Sequence, residues 1–144
     1  MGADVLIFPD ARLCLETYLE GIYETQPDVF DFPLVVTWRL PDDAFSPPFD
    51  TAYIHITSHP GGASEGYIDR SEQVRIDCYA PGQAALGTLS VVKALLVGDG
   101  IETPHGYLDS VSVVPGRAPI ELEFQSESLN QATTVLDVVT RPIN

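Results

Sequence analysis

The sequence predicts an α+β fold: a single domain over residues 1–144, in which two helices pack on one face of a mainly antiparallel or mixed β-sheet. Three observations predict this fold. The chain of 144 residues has the length of one domain. Segments with the two-residue period of strands come mostly in runs, and two segments have helical spacing instead. The predicted order of elements is α-β-β-β-α-β-β.

The first predicted helix covers about residues 9–23. Its apolar side chains recur three and four residues apart, which is the spacing of a helix face that packs on a core. Asp10, near its start, suits the positive end of the helix dipole. The recurring apolar residues are Leu15, Tyr18, Leu19 and Ile22.

Two strands are predicted next. Residues 34–40 are rich in β-branched and aromatic side chains, and residues 52–57 alternate between apolar and polar ones. The proline- and aspartate-rich residues 41–50 between them are predicted to form a flexible loop. The glycine-rich sequence that follows the second strand predicts another flexible loop over residues 59–71.

The stretch Glu72–Gly98 is the predicted centre of the domain. Its first part alternates between apolar and polar residues, which predicts a strand with one buried face. Pro81 and Gly82 end this strand, since proline cannot donate to a ladder. From Gln83 the apolar spacing becomes helical. The apolar positions are Val74, Ile76, Cys78 and Ala80 in the strand, and Ala85, Leu89, Val92 and Leu96 in the helix.

The remaining sequence predicts two further strands. Residues 99–106 are predicted to be a turn-rich link, and Tyr107–Val114 carries valines on one face of a strand. A third flexible loop is predicted over residues 116–131, because Glu121–Gln131 has no period. The last predicted strand is Val135–Thr140, with Ala132 as an alternative start.

The charge of the chain is extreme. Seven basic and 21 acidic residues give a net charge of −14. Such a chain will not wrap the outside of a nucleic acid, because that needs clustered lysine and arginine. Six of the seven cations are arginine, which suits bidentate pairing with carboxylates at an interface between copies. The candidates for such an interface are Arg70, Arg75 and Arg117.

Neither a membrane segment nor a signal peptide is predicted. No apolar run approaches the ~18 residues of a membrane span, and the first residues lack a basic start. We therefore expect a cytoplasmic protein that does not contact a membrane. Cys14 and Cys78 fall on apolar patterns and are predicted to be small buried side chains. A disulfide or a redox role is the less favoured alternative, since we expect a reducing compartment.

The sequence contains no recognisable catalytic motif. His55 and His59 are four residues apart, but on a strand this spacing separates them by about 13 Å, too far for one metal ion. The glycines Gly61, Gly62 and Gly66 follow a strand, yet the Gly-Lys-Ser/Thr ending of a phosphate loop is missing. We therefore expect a protein that is not an enzyme and uses neither a metal nor a cofactor.

The arrangement of segments resembles a known family. The segments are an N-terminal helix, the strand Val-Arg-Ile-Asp-Cys-Tyr-Ala at 74–80, the helix start Gly-Gln-Ala-Ala-Leu-Gly-Thr-Leu at 82–89, a Val-x-Val strand, and the final Val-Leu-Asp-Val-Val-Thr-Arg at 135–141. Over about residues 10–141 this order is similar to that of the tail terminator, or tail-completion, proteins of long-tailed bacteriophages. It is more loosely similar to head–tail joining proteins.

The resemblance implies a structural role in the virion. Members of this family form a six-membered ring on the finished tail tube, stop its polymerisation and offer a surface to the head. The implied partners are further copies of the chain, the tail tube protein and head–tail connector proteins. The implied location is the head-proximal end of the tail, after assembly in the host cytoplasm.

A ring on the path of the genome should let DNA pass without binding it. Because an acidic lining repels phosphates, we expect some carboxylates to line the opening. The candidates are Asp69, Glu72 and Asp77.

Three other functions fit the sequence. The first is a head–tail connector or other neck protein, which differs only in its assembly partner. The second is a small metal- or ligand-binding hydrolase-like domain that uses His55, His59 and nearby acids. The third is an acidic decoy that mimics DNA, although the spread of acids through all segments weakens this hypothesis.

Overall fold

A computed structural model describes residues 7–41, 50–65, 69–122 and 129–143; within β2, side chains are described up to residue 58. Within these ranges the chain forms two α-helices, one short 3-10 helix and seven strands. The helices are α1 (Ala11–Thr25) and α2 (Ala84–Leu96), and the 3-10 helix is Pro27–Val29. The strands are β1 (Leu34–Thr37), β2 (Ala52–Glu65), β3 (Arg70–Pro81), β4 (Gly98–Thr103), β5 (Gly106–Val113), β6 (Ile120–Leu122) and β7 (Leu129–Thr140).

All seven strands belong to one sheet. Its order is β1-β2-β3-β7-β5-β4, and the short β6 also pairs with β7. The β1–β2 pair is parallel, whereas the other pairs are antiparallel. The predicted α+β class, with a mixed sheet and two helices on one face, is therefore confirmed.

The core lies between the helices and one face of the sheet. In β3 the residues Val74, Ile76, Cys78 and Ala80 are buried, as the alternation predicted. Opposite them, β7 contributes buried residues such as Leu136. We call the helix-covered face the first face and the opposite one the second face, which carries Arg75, Asp77 and Tyr79 of β3.

Both helices begin where local chemistry favours a start. The carboxylate of Asp10 caps α1 by accepting hydrogen bonds from the backbone N–H groups of Arg12 (3.0 Å) and Leu13 (3.3 Å). Gly82, with φ of 59°, turns the chain from β3 into α2. The buried stripe of α2 includes Leu89 and Leu96, which join the same core as α1.

The predicted loop over residues 59–71 is wrong for 59–65 and for 70–71, which are strand residues. β2 continues to Glu65 and pairs with β3 as far as Arg70. Between Ser58 and Ala63 the register shifts, because β2 advances by five residues while β3 advances by two. A bulge absorbs the extra residues there, and glycine in this stretch tolerates the unusual backbone that a bulge needs.

The predicted link over residues 99–106 is also wrong. Residues 98–103 form β4, which pairs with β5 through a turn at Pro104 and His105. One apolar residue, Ile101, faces the core from β4, opposite Leu108. A strand with a single buried side chain shows no alternation of apolar and polar residues in its sequence. Its pairing with β5 therefore makes it a strand.

The third predicted loop, residues 116–131, is partly strand. Residues 120–122 form β6, and β7 begins at Leu129 instead of Val135 or Ala132. The early part of β7 lies between β3 and β6, so backbone pairing on both sides fixes it despite its polar sequence. Residues 123–128 of this loop, and 42–49 of the loop predicted over 41–50, lie outside the described residues.

Candidate functional site

The second face of the sheet carries an arginine that is held by two neighbours. Arg75 Nε donates hydrogen bonds to Asp77 Oδ1 (3.0 Å) and to Thr133 Oγ1 (3.2 Å). The register places Arg75 opposite Val135 and Asp77 opposite Thr133, so all three groups share this face. Asp77 is only 5% exposed. Its negative charge is thus largely matched by Arg75 of the same chain.

A second arginine–carboxylate pair lies at the start of β3. Arg70 Nη2 is 2.9 Å from Glu72 Oε1, and Glu72 is 8% exposed. Glu72 lies opposite Val138, which places it on the first face. Asp69, just before the strand, is exposed. Among the three acids predicted to line an opening, Asp69 is therefore the one with an exposed position.

β5 and β6 both pair with the side of β7 that faces away from β3, and a connection over residues 114–119 separates them. β5 ends with Val113 opposite Leu136, and β6 begins with Ile120 opposite Thr133. Thr134 and Val135 face this connection instead of a paired strand. The hydroxyl of Thr134 donates a 2.7 Å hydrogen bond to the carbonyl oxygen of Arg117, which ties the connection to β7.

This gap contains a cavity of about 390 Å³. Arg75 and Arg117 both line it, although they are far apart in sequence. Among the described residues neither an ion pair nor a hydrogen bond involves the guanidinium of Arg117, and that side chain is exposed. The other lining residues are Gly116, Ala118, Ile120, Leu122, Thr133, Thr134 and Val135.

The sequence named Arg75 and Arg117 as interface candidates but did not predict that they share a cavity. Arg70, the third candidate, does not line it. Sequence reasoning also missed Thr133 and Thr134. Thr133 meets the Arg75 side chain through the β3–β7 register, and Thr134 meets the main chain of Arg117 through the fold of the connection.

The β1 edge of the sheet exposes apolar side chains. Within the described ranges β1 pairs with β2 alone. Val35 is 40% exposed and Trp38, just beyond the strand, is 66% exposed. The imidazole Nε2 of His55 lies 2.7 Å from the Trp38 carbonyl oxygen, so this histidine helps to hold the end of the edge strand.

Helix α1 carries a buried carboxyl group. Glu16 is 8% exposed, and its Oε1 has no hydrogen-bond partner, although Arg12 Nη1 lies 3.7 Å away. Burial raises the pKa of Glu16, an effect that the nearby Arg12 charge partly opposes.

Both cysteines are free and buried, as predicted. Burial raises the pKa of Cys14, and it raises the pKa of Cys78 to about 12. At neutral pH both sulfurs therefore remain thiols, which are poor nucleophiles and poor metal ligands.

Among the described residues, no group of three or more histidine, cysteine, aspartate or glutamate side chains is placed to hold a metal ion. The His59 side chain lies outside the described part of the chain. In the ranges that the structure covers, neither helix is long and apolar enough to cross a membrane.

The fold and its sites define a class of molecule: a small α+β domain with a mixed seven-stranded sheet, one helix-covered face and a cationic cavity beside a central strand. Compared with models of known protein families, the chain matches none. Curated proteins likewise give no match.

Proposed function

We propose that this chain is a structural protein of a bacteriophage virion that caps the tail tube as a six-membered ring. The ring ends tail polymerisation and provides the surface for head joining. The strand, corner and helix that carry the resemblance fold as one unit, from β3 through Gly82 into α2. This continuity supports the proposal, since the resembling segments pack together in one core.

The observation that carries the proposal is the apolar edge at β1, whose outer side pairs with no strand of the described residues. An exposed edge strand with apolar side chains tends to pair with another chain unless something covers it. The two edges of the sheet, β1 and β4, differ in sequence and direction of pairing. A contact that joins two different surfaces is head-to-tail, and head-to-tail contacts close into rings when the rotation allows.

The charge sets a condition on such a ring. Every copy brings a net charge of −14, so repulsion opposes closure. Arg70 and Arg75 are already paired with carboxylates of their own chain. Arg117 has no such pair among the described residues, which makes it the interface arginine in this proposal. In this proposal Asp69 lines the opening of the ring, where its exposed carboxylate would repel passing DNA.

The proposal is tested by truncating Trp38 to alanine. Because Trp38 is exposed, Trp38→Ala should fold normally. A buried interface tryptophan contributes about 2 kcal/mol or more, so each contact should weaken about 30-fold. The control is Leu86→Ala, which shortens an exposed apolar side chain on α2. Electron microscopy and light scattering, with and without purified tail tubes, measure rings and capped tube ends.

Wild-type protein and Leu86→Ala should form rings and stop tubes from growing, whereas Trp38→Ala should not. Wild-type protein that leaves tube ends growing and forms no ring would overturn the proposal. Rings that bind the neck of filled heads but do not bind tail tubes would identify a head–tail connector. A stoichiometric metal ion in the purified protein would favour the hydrolase-like alternative.

A further inference from the structure

The cavity beside β7 has hydrogen-bond donors that no described residue uses. Arg75 donates hydrogen bonds from Nε to Asp77 and Thr133, while its two terminal nitrogens make no hydrogen bond to any described residue. The guanidinium of Arg117 likewise has no partner in the part of the chain that the structure describes. A guanidinium carries five N–H donors in a planar fork that matches a carboxylate or a phosphate. Two such forks at one cavity indicate an anion site.

The local charge favours an anion with a single negative charge. Two guanidinium groups and the carboxylate of Asp77 leave one net positive charge at the cavity. A carboxylate matches this charge, whereas a phosphate group near neutral pH carries up to about two negative charges. The strongly acidic chain further disfavours polyanions, because its field repels them.

The cavity walls favour an apolar stem behind the anionic group. Ile120, Leu122 and Val135 supply apolar lining to the cavity, and Val135 lies beside Arg75 in the strand register. The volume of about 390 Å³ lies within the range of small-ligand sites. An ion without an apolar body would leave this lining uncovered and gain nothing from it.

We propose that this cavity binds a carboxylate group carried on a short apolar stem, held between Arg117 and the terminal nitrogens of Arg75. The carboxylate has two sources with the same chemistry. One is a free organic acid, and the other is an aspartate or glutamate side chain of a second copy. The second source rests on the proposed ring, whereas the first does not.

The first arm of the test uses hexanoate as the free probe at constant ionic strength. NMR should show saturable shifts at Thr133, Thr134 and Ile120 in the wild-type chain. Arg117→Gln should weaken binding about tenfold or more, because a charge-assisted hydrogen-bond pair is lost. Arg117→Lys, which keeps the charge but loses the fork, should fall between the two. The matched control Lys93→Gln removes one positive charge from α2 and should bind like wild type.

Specificity is measured with two further probes. Hexanamide, which has the same stem without the charge, and inorganic phosphate, which has charge without the stem, should both bind more weakly than hexanoate. Phosphate or hexanamide binding as tightly as hexanoate would overturn the inference. We expect the Arg117 variants to fold, because their side chain is exposed and the carbonyl of residue 117 that accepts the Thr134 hydrogen bond is kept.

The second arm measures self-association by light scattering. If the carboxylate comes from a second copy, Arg117→Gln and excess hexanoate should both weaken association, while Lys93→Gln should not. If neither Arg117→Gln nor excess hexanoate changes self-association, and hexanoate binding is saturable, the ligand is a free acid. Rings that form normally with Arg117→Gln leave the proposed tail-capping role standing but remove Arg117 from the proposed interface. Absence of an Arg117 effect in both arms overturns the carboxylate site itself.

Discussion

The carboxyl group of Glu16 shows how one side chain limits stability. It lies on α1 beneath the surface, with Arg12 too far away for a hydrogen bond at 3.7 Å. Burial disfavours the ionised form, so the pKa in the folded protein is raised above the ordinary value of 4.5. The fold therefore holds the proton more tightly than the unfolded chain does, and stability falls as pH rises through the raised pKa.

Replacing this group with its neutral isostere should stabilise the protein. Glu16→Gln removes a charge that the fold disfavours, and we expect a gain of about 1 kcal/mol at neutral pH, the scale of one unsatisfied buried group. The gain should vanish well below pH 4.5, where wild-type Glu16 is protonated in both the folded and the unfolded state. Denaturant unfolding across this pH range measures it. The exposed Glu20→Gln on the same helix is the control, and an equal effect of both variants would contradict the argument.

The two thiols should resist alkylation in the native protein. Cys14 and Cys78 are fully buried, and the raised pKa of about 12 keeps Cys78 protonated even in mildly alkaline buffer. Mass spectrometry after iodoacetamide treatment should find no modification until the chain is denatured, when both react. Rapid labelling of the native protein would show that the core around Cys78 opens far more readily than its packing indicates.

At the scale of elements, the sequence predicted the helices and strands whose buried residues recur at a fixed period. It missed the strands that are defined only by pairing with a neighbouring strand. The β3 strand and α2 helix were predicted because their buried residues repeat at two and at 3.6 positions. β4 was missed because Ile101 is its one buried apolar residue. The far part of β2 was missed because glycine looks like a loop, whereas pairing with β3 across a bulge fixes it as strand. Such pairing depends on residues distant in sequence.

Two glycines in different elements should respond oppositely to alanine. At Gly106, φ is 153° and an added Cβ would lie 2.4 Å from Pro9 Cβ. Gly106→Ala should therefore cost about 2–4 kcal/mol from backbone strain and the clash in the β4–β5 turn. Gly87, within α2, has open space around the position of a Cβ. Gly87→Ala should stabilise by about 0.5–1 kcal/mol through helix propensity.

Chemical denaturation of both glycine variants measures these changes. The two substitutions add the same methyl group. Changes of opposite sign in the free energy of unfolding would therefore reflect the local backbone conformation and the space around each glycine. A Gly106→Ala variant as stable as wild type would mean that the turn moves away from Pro9 at little cost.

At the scale of the whole molecule, the candidate site could be predicted by residue type but not by geometry. Arginine in an acidic chain predicted interface roles, which stay predictions, whereas the structure shows that Arg75 and Arg117 line one cavity. Arg70 and Arg75 each pair with a carboxylate two residues along their own strand. Residues two apart on a strand share a face, so such pairs compete with any partner chain.

Net charge and the β1 edge act together in any assembly. The repulsion between copies of charge −14 is screened beyond about 8 Å at physiological salt. In the proposed ring, contacts at the β1 edge would be apolar and short-range, so salt would leave them intact. Added salt should therefore strengthen self-association. Weakening by salt would mean that ion pairs, not apolar contacts, hold the copies together.

The single tryptophan reports directly on this edge. Trp38 is the only tryptophan in the chain and is 66% exposed, so the isolated protein should emit at the long wavelength of a hydrated indole. When copies associate through the β1 edge, the indole leaves water and its emission should shift to shorter wavelength. The shift should follow the size measured by light scattering as concentration or salt rises. An exposed-tryptophan spectrum that persists in fully formed rings would place the contact elsewhere, and the proposed interface would be wrong while the ring remained.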